Sequence, residues 1–448
     1  MNNFLKILLI LIFLTSCSFQ KNSKFWTTKK INKEKQSIEK EILKKEKASQ
    51  LEFNPKLKIS LYSKAINKSF LNNYDNNNGR INYNGKLENI SKFRFKKIDN
   101  FYQYNPEISL HKNNIIFFDN KGAILKFDQE SRLIWKKNYY SKFEKKQKPI
   151  LLFANNKKVL VVADNIAKYY ALDINTGELL WEKNNTAPFN SQIKIYKDNF
   201  FVIDFDNILR AYSINNGNEV WNIKTERSLI RSQKKLSMVI VNDIIYFNNS
   251  LGDISAVDIK NGELIWQSPT QSSLVYDQGF FLKTSDIIAD SETLYVSNNK
   301  NEFFSIDIKT GILNWQQKVN SNLRSTLVDN YIFAISLEGY LIVIEKKTGN
   351  IIRSTNIFPF KKVKKNRRNL LTGAIIENKK IKKIQPSGFI VGLKNLYVTT
   401  TNGRLLTVDI KTGKTQSVLK IDNSKILRPL VLNESLYIIK DDSIIRLN

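Results

Sequence analysis

The stretch "YYALDINTGELLW", Tyr169 to Trp181, is an apolar run, a turn and a second apolar run that ends on tryptophan. The residues before the turn are mostly aromatic or aliphatic and favour an extended strand. Asp173 can accept hydrogen bonds from its own turn backbone. Gly177, four residues later, suits a left-handed position in a short hairpin loop. Trp181 then falls eight residues after the aspartate, on the returning strand. Each part of the unit has an architectural use.

The unit recurs. "LKFDQESRLIW" ends at Trp135, "RAYSINNGNEVW" at Trp221, "SAVDIKNGELIW" at Trp266 and "FSIDIKTGILNW" at Trp315. Successive tryptophans are 46, 40, 45 and 49 residues apart. Two degenerate copies follow, "IVIEKKTGNIIR" ending at Arg353 and "LTVDIKTGKTQS" ending at Ser417. The turn aspartates are Asp128, Asp173, Asp258, Asp307 and Asp409. The turn glycines are Gly177, Gly217, Gly262, Gly311, Gly349 and Gly413. The first copy lacks its glycine and is one residue shorter, from Asp128 to Trp135.

A further strand precedes each hairpin, as in "KVLVVAD", "TLYVSNN" and "NLYVTTT", and a weaker apolar stretch precedes that. Four short strands in each repeat of this length predict an all-β chain built as a β-propeller. The tryptophans are expected to fill the space between blades, where burial of a large apolar side chain contributes roughly 1.5–3 kcal/mol. Seven hairpins are visible, and "SLYIIKDDSIIRLN" at the C-terminus adds two strands with no returning partner. Residues Leu87 to Lys97, "LENISKFRFKK", can supply that partner from the N-terminal side. The expectation is eight four-stranded antiparallel blades, with seven as the alternative. One insertion, Phe360 to Ile384, lengthens the last repeat spacing to 64 residues.

The first seventeen residues, "MNNFLKILLILIFLTSC", have a polar start with Lys6 and an apolar core from Ile7 to Leu14. This is too short to span a bilayer and reads as an export signal, residues 1–16. Residues 17–85 are expected to be a charged and Asn-rich tether, dense in Lys and Glu up to Gln50 and turn-forming from Asn72 to Gly85. The propeller is expected from Lys86 to the end, residues 86–448.

"LTSC", Leu14 to Cys17, resembles the lipobox of bacterial lipoproteins, which implies cleavage before Cys17 and acylation of its thiol. Ser18 follows the cysteine in place of the Asp that resembles an inner-membrane retention signal, so the expected location is the outer membrane of a Gram-negative cell, facing the periplasm. The repeat itself resembles that of quinoprotein-type propellers. That group contains pyrroloquinoline-quinone (PQQ) dehydrogenases and the BamB lipoproteins of the β-barrel assembly machinery. Lipobox, tether and a single propeller resemble the BamB family. The resemblance implies a non-catalytic scaffold that docks the periplasmic domains of a BamA-type subunit. Further expected partners are other subunits of that complex and unfolded outer-membrane proteins. It implies a contact through "RSLIRSQ", with Leu229, Ile230 and Arg231 as the matching residues, and an acidic counterpart for which Asp277 and Asp286 are the candidates.

The rival expectation is a PQQ-dependent dehydrogenase, whose resemblance implies an axial quinone and Ca²⁺ held by oxygen donors. A periplasmic propeller serving another envelope partner is a third. The single cysteine, Cys17, excludes an internal disulfide and the ring of adjacent cysteines found near the quinone in many such enzymes. The single histidine, His111, follows an apolar strand and is expected to be structural or exposed. "TGKT", Thr412 to Thr415, ends like a phosphate-binding loop but has Val408 where the first glycine belongs, and it sits within a hairpin. No catalytic constellation, metal cluster or cofactor site is expected. The charge of +30, with 71 Lys and Arg against 41 Asp and Glu, favours anionic partners. Export argues against nucleic acid as the target of the basic run "KKVKKNRR", Lys361 to Arg368. A solvated loop, an anionic lipid surface or an acidic partner is expected instead.

Overall fold

The computed structural model describes residues 51–66, 79–225, 234–270, 282–358 and 384–448, together with the backbone of 367–368 and 375–376. Eight four-stranded antiparallel sheets follow one another as the blades of a propeller. Blades one to seven span residues 109–137, 151–184, 194–224, 238–268, 288–317, 326–356 and 386–420. In each of these the four strands run outward in chain order. The eighth blade consists of Leu430–Leu432, Ser435–Lys440 and Ser443–Leu447, and its outer strand is Asn89–Arg94, from the opposite end of the chain. Phe93 pairs with Ile444 across that seam, so the ring is closed by both termini and has eight blades.

Burial follows from this order. The middle strands are covered by neighbouring blades on both faces, and Val159–Asp164 and Lys168–Asp173 are buried along nearly their whole length. A strand covered on two sides loses the polar alternation of a half-exposed strand. The outer strand Leu179–Asn184 is mostly exposed. The apolar clusters lie between blades. One joins Val161 and Tyr169 of blade two to Phe200, Val202 and Tyr212 of blade three.

The hairpins between third and fourth strands carry the repeat motif. The Asp173 carboxylate accepts from the backbone N–H groups of Asn175 (2.8 Å) and Thr176 (2.9 Å). Gly217 has φ +68°, and a Cβ placed there would lie 2.6 Å from the Trp181 ring. Trp181 therefore lies flat on the hairpin of the next blade, stacked near Phe200 at 6.1 Å. Trp135, Trp221, Trp266 and Trp315 lie in the same way over Gly177, Gly262, Gly311 and Gly349.

At seven of the eight seams a side chain of the preceding blade donates to the backbone carbonyl that follows the turn aspartate or its equivalent, and at the seam of blades seven and eight Tyr83 donates to the carbonyl at the aspartate position itself. Trp181 Nε1 donates to Ile214 (2.7 Å), Trp221 to Ile259 (3.2 Å), Trp266 to Ile308 (3.3 Å) and Trp315 to Lys346 (3.1 Å). Where the tryptophan is absent, another donor takes the place. Arg353 reaches Ile410 (2.9 Å), Arg446 reaches Gln129 (2.9 Å) and Tyr83 reaches Asn448 (2.8 Å). In blade one Lys126 occupies the carbonyl of Ile174 (2.7 Å), and the Trp135 indole N–H has no partner. The degenerate copies thus keep the bond and change the donor.

A second repeated turn joins strands two and three. Asp119, Asp164, Asp204 and Asn249 each accept from the backbone N–H groups two and four residues ahead. Asp164 is fully buried, and the Tyr140 hydroxyl donates to it at 2.6 Å. Burial raises its carboxyl to about 6, against the opposing pull of the Tyr140, Ile166 and Lys168 hydrogen bonds. A raised folded pKa means that the unfolded chain releases this proton first. The carboxylate therefore removes stability as pH rises from about 4 to about 6, by about 3 kcal/mol in all. Asp164→Asn, which copies blade four, is expected to remove that slope in urea unfolding between pH 4 and 8. An unchanged slope would show that Asp164 does not titrate in this range.

Among the described residues, those from Leu51 onward already pack with the ring, ahead of the boundary expected at Lys86. Residues 51–66 and 79–85 lie along one face of blades six to eight. Phe53 pairs with Ser354 on the outer strand of blade six. The N–H groups of Tyr62 and Ser63 donate to Asp329 (2.7 and 3.0 Å), in the turn between the first two strands. Ile81 N–H donates to Val391 (2.8 Å) on the innermost strand of blade seven. Ile59, Ile81 and Tyr83 are buried. Three apolar anchors, each isolated among polar residues, hold the segment down, and this is why composition read it as tether.

Candidate functional site

The face along which residues 51–66 and 79–85 lie carries the repeat hairpins. The opposite face carries the turns between strands two and three and the connections from one blade to the next. On that connecting face, the position two residues before each innermost strand lies just ahead of the sheet. It is occupied by Glu107, Pro149, Gln192, Leu236, Asp286, Arg324, Ile384 and Arg428 in blades one to eight. Lys234 and Lys235 precede Leu236.

The polar and charged groups among them interact across the ring. Gln192 Nε2 donates to Asp286 Oδ2 at 3.4 Å across 94 residues of sequence. Lys234 Nζ lies 4.0 Å from Asp286 and donates to the carbonyls of Thr284 and Asn322, the latter at 3.1 Å. Lys235 pairs with Glu107 at 2.7 Å. Arg428 Nε donates to the carbonyl of Phe389 (3.0 Å), and Lys425 Nζ to Asn105 Oδ1 (2.6 Å). Only an axis brings side chains of blades one, three, four, five, six and eight together.

Positive charge dominates. Burial alone would raise the Asp286 carboxyl, but Lys234, Arg324, Lys235 and Arg428 hold it below the usual carboxylate range. Burial pushes the Lys234 ammonium down to about 8 against the attraction of Asp286. Burial, with Lys283 and Lys234, brings Lys425 to about 8. Burial, with Arg324 beside it, lowers Arg428, and Asp286 and Glu107 oppose the shift. Both carboxylates in the cluster already face lysines.

This arrangement does not fit the quinone and Ca²⁺ centre that the dehydrogenase resemblance implies. A hard divalent cation takes six or more oxygen ligands. The axis presents cations instead, and among the described residues no three His, Cys, Asp or Glu side chains cluster to hold a metal.

Of the residues expected to contact a partner, Asp286 is at the axial cluster and not on an outward loop. Leu229, Ile230, Arg231 and Asp277 lie outside the described residues, as does Cys17. The first four belong to stretches 226–233 and 271–281, which are connections between blades three and four and between four and five. The insertion 360–384 is likewise a connection, between blades six and seven; within it Arg367 and Arg368 pair with Ile376 and Ile375. His111 is buried, and burial lowers its pKa, with Lys126 and Lys112 acting the same way. Thr412, of the "TGKT" stretch, bonds Asp409 within its hairpin. Sequence reading missed the axial cations. Arg324 and Arg428 stand two residues before the first strands of blades six and eight, but Lys234, Lys235 and Lys425 keep no common offset.

A family profile described as outer membrane protein assembly factor BamB matches residues 120–355. The chain belongs to this family. Among solved structures, BamB from Moraxella catarrhalis superposes with a TM-score of 0.60 at 15% identity, over 81% of this chain and 100% of that one. Quinohemoprotein alcohol dehydrogenase from Comamonas testosteroni superposes with a TM-score of 0.58 at 10% identity, over 82% of this chain and 78% of that one. The computationally designed Ika8 protein gives 0.58 at 12% identity, over 81% of this chain and 99% of that one. At such identities these likenesses are of fold. No match was found among curated proteins.

Proposed function

We propose that this BamB-family chain is a non-catalytic scaffold of the β-barrel assembly machinery, anchored to the outer membrane through acylated Cys17 and facing the periplasm. The observation that carries the proposal is the family match over residues 120–355, and the lipobox "LTSC" beside it supports the anchor. One lipid chain holds a protein marginally and two hold it firmly, so an acylated N-terminus suffices without a membrane-spanning helix. Docking of the periplasmic domains of a BamA-type subunit is assigned to the connecting face. Leu229, Ile230 and Arg231 would enter the partner, and Asp277 would lie on the neighbouring connection. Asp286 would act from behind by fixing the axial lysines. The rigid ring then orients the partner's domains while barrel precursors fold and insert.

The test is affinity purification of the tagged chain from detergent-solubilised envelope at native expression. It should recover the BamA-type subunit, and Arg231→Glu should reduce that recovery severalfold while the ring stays folded. Recovery of no such subunit rejects the scaffold, and undiminished recovery with the variant rejects the contact. In the same preparation Cys17→Ala should move the chain to the soluble periplasm; retention in the membrane rejects the lipid anchor.

A further inference from the structure

We infer that the N-terminal strap, residues 51–64, forms with the hairpins of blades six and seven a patch that lies on an anionic bilayer surface. The inference rests on the acylated Cys17 proposed above. The strap buries only part of its apolar surface. Ile59 is 3% exposed and packs into the cluster between blades six and seven, whereas Leu51 is 71%, Phe53 49%, Leu57 42% and Tyr62 86% exposed. The backbone fixes them in that state. Phe53 exchanges hydrogen bonds with Ser354 (3.0 and 2.8 Å), and Arg353 donates to the carbonyl of Leu57 (3.1 Å). The N–H of Ile59 donates to the carbonyl of Lys411 (3.0 Å) and that of Tyr62 to Asp329 (2.7 Å). Large apolar side chains exposed singly are ordinary, but a row of them held out by a bonded backbone marks an interaction surface.

Charge selects the occupant. Lys56, Lys58 and Lys64 of the strap are exposed among these side chains, and Lys347, Lys411 and Lys414 of the two hairpins are exposed beside it. The carboxylates of the same sector are bonded to the protein. Glu52 accepts from the N–H of Asn356 (3.1 Å), Asp329 from Tyr62 and Ser63, Glu345 from Thr348 (2.6 Å) and Asp409 from Thr412 (2.6 Å). Lysine stems can lie along the apolar neighbours while the ammonium groups meet lipid phosphates, and a tyrosine suits the headgroup level. Basic residues near an anionic leaflet are attracted to it. An acidic protein would also answer the lysines, but position in the chain favours the bilayer. Leu51 follows directly on residues 17–50, the stretch that leads from the anchor. The strap is therefore the part of the ring that the anchor holds at high effective concentration beside the membrane. With the hairpin face on the bilayer, the connecting face, to which partner docking is assigned, turns toward the periplasm.

The test uses the full acylated chain in vesicles of phosphatidylcholine and phosphatidylglycerol in equal parts. Cys17 is the single cysteine, and acylation occupies its thiol, so an introduced cysteine alone takes a fluorescent label. One label is placed in the patch by Tyr62→Cys. The other is placed on the connecting face by Lys121→Cys, an exposed position in the turn between strands two and three of blade one. Spin-labelled lipid should quench the label at 62 severalfold more than the label at 121. Lys56→Glu, Lys58→Glu and Lys64→Glu together should remove that contrast while the chain still floats with the vesicles, and phosphatidylcholine alone should reduce it severalfold. Equal quenching at both positions in a chain that floats overturns the patch and leaves the anchor standing. A chain that does not float overturns both. A contrast that survives both the triple variant and the neutral vesicles overturns the assignment to an anionic surface.

Discussion

Phe93→Ala is expected to lower the stability of the ring by about 3–5 kcal/mol, a large share of the 5–15 kcal/mol that ordinarily separates folded from unfolded chains. Phe93 is fully buried and belongs to the cluster that joins blades eight, one and two. Its ring meets Phe127 of blade one edge-on at 5.7 Å and Tyr437 of blade eight at 6.0 Å. Truncation to alanine therefore opens a cavity at the one seam where the chain's two ends meet. Deleting 86–94 should be worse. It removes the strand itself and leaves Ser443–Leu447 as a bare edge, a template for pairing with other chains. The deleted chain should aggregate, and a peptide of residues 86–97 supplied in trans should restore soluble ring by adding the missing strand. Urea unfolding of the point variant and light scattering of the deletion measure the two effects. A deletion variant that stays monomeric with an unchanged midpoint would show that closure by Asn89–Arg94 does not hold the ring.

What could be read in advance divides along physical lines. The hairpins were legible because their chemistry is local. Asp307 bonds the N–H of Thr310 three residues away (2.8 Å), so the signal lies within one turn. The eighth blade was legible because two C-terminal strands lacked a partner and "ISKFRF" offered one. The seam donors were not legible. Lys126 serves a carbonyl 48 residues on and Tyr83 one 365 residues on, and nothing in "KFD" or "NYN" marks either as a donor. The strap of residues 51–66 was hidden because its anchors Ile59 and Leu61 alternate with lysine and serine in a stretch rich in charge. The axial cations escaped for a related reason: they keep no common position in the repeat and meet groups of other blades, as Lys234 meets Asp286 and Lys235 meets Glu107. Asp286 was singled out as an acidic surface contact. In the fold its neighbours are Gln192 and Lys234, which no local reading of "KTSD" supplies.

Arg353 makes the strongest single case for function carried by a degenerate copy. It stands where the other repeats have tryptophan, fully buried at the seam of blades six and seven. One terminal nitrogen donates to Lys411 (2.6 Å) and to Leu57 (3.1 Å), and the other donates to Ile410 (2.9 Å). An indole has one N–H and could serve only one of these carbonyls. The arginine therefore does what the repeat requires and also fastens the N-terminal strap. Burial lowers its pKa to about 10, against the pull of Asp409, so the charge persists at any physiological pH and its desolvation offsets part of the gain. Charged hydrogen bonds are each worth about 1.5–3 kcal/mol, and buried carbonyls left without donors add a further cost. After that offset, Arg353→Ala should cost about 3–5 kcal/mol in urea unfolding. Arg353→Trp should recover the seam but not the strap. The two variants are distinguished by limited proteolysis: both should be cut within 51–66, but only the alanine variant should also lose its unfolding midpoint. Protection of 51–66 in Arg353→Trp would mean that Ile59 and the bonds to Asp329 hold the strap without the guanidinium.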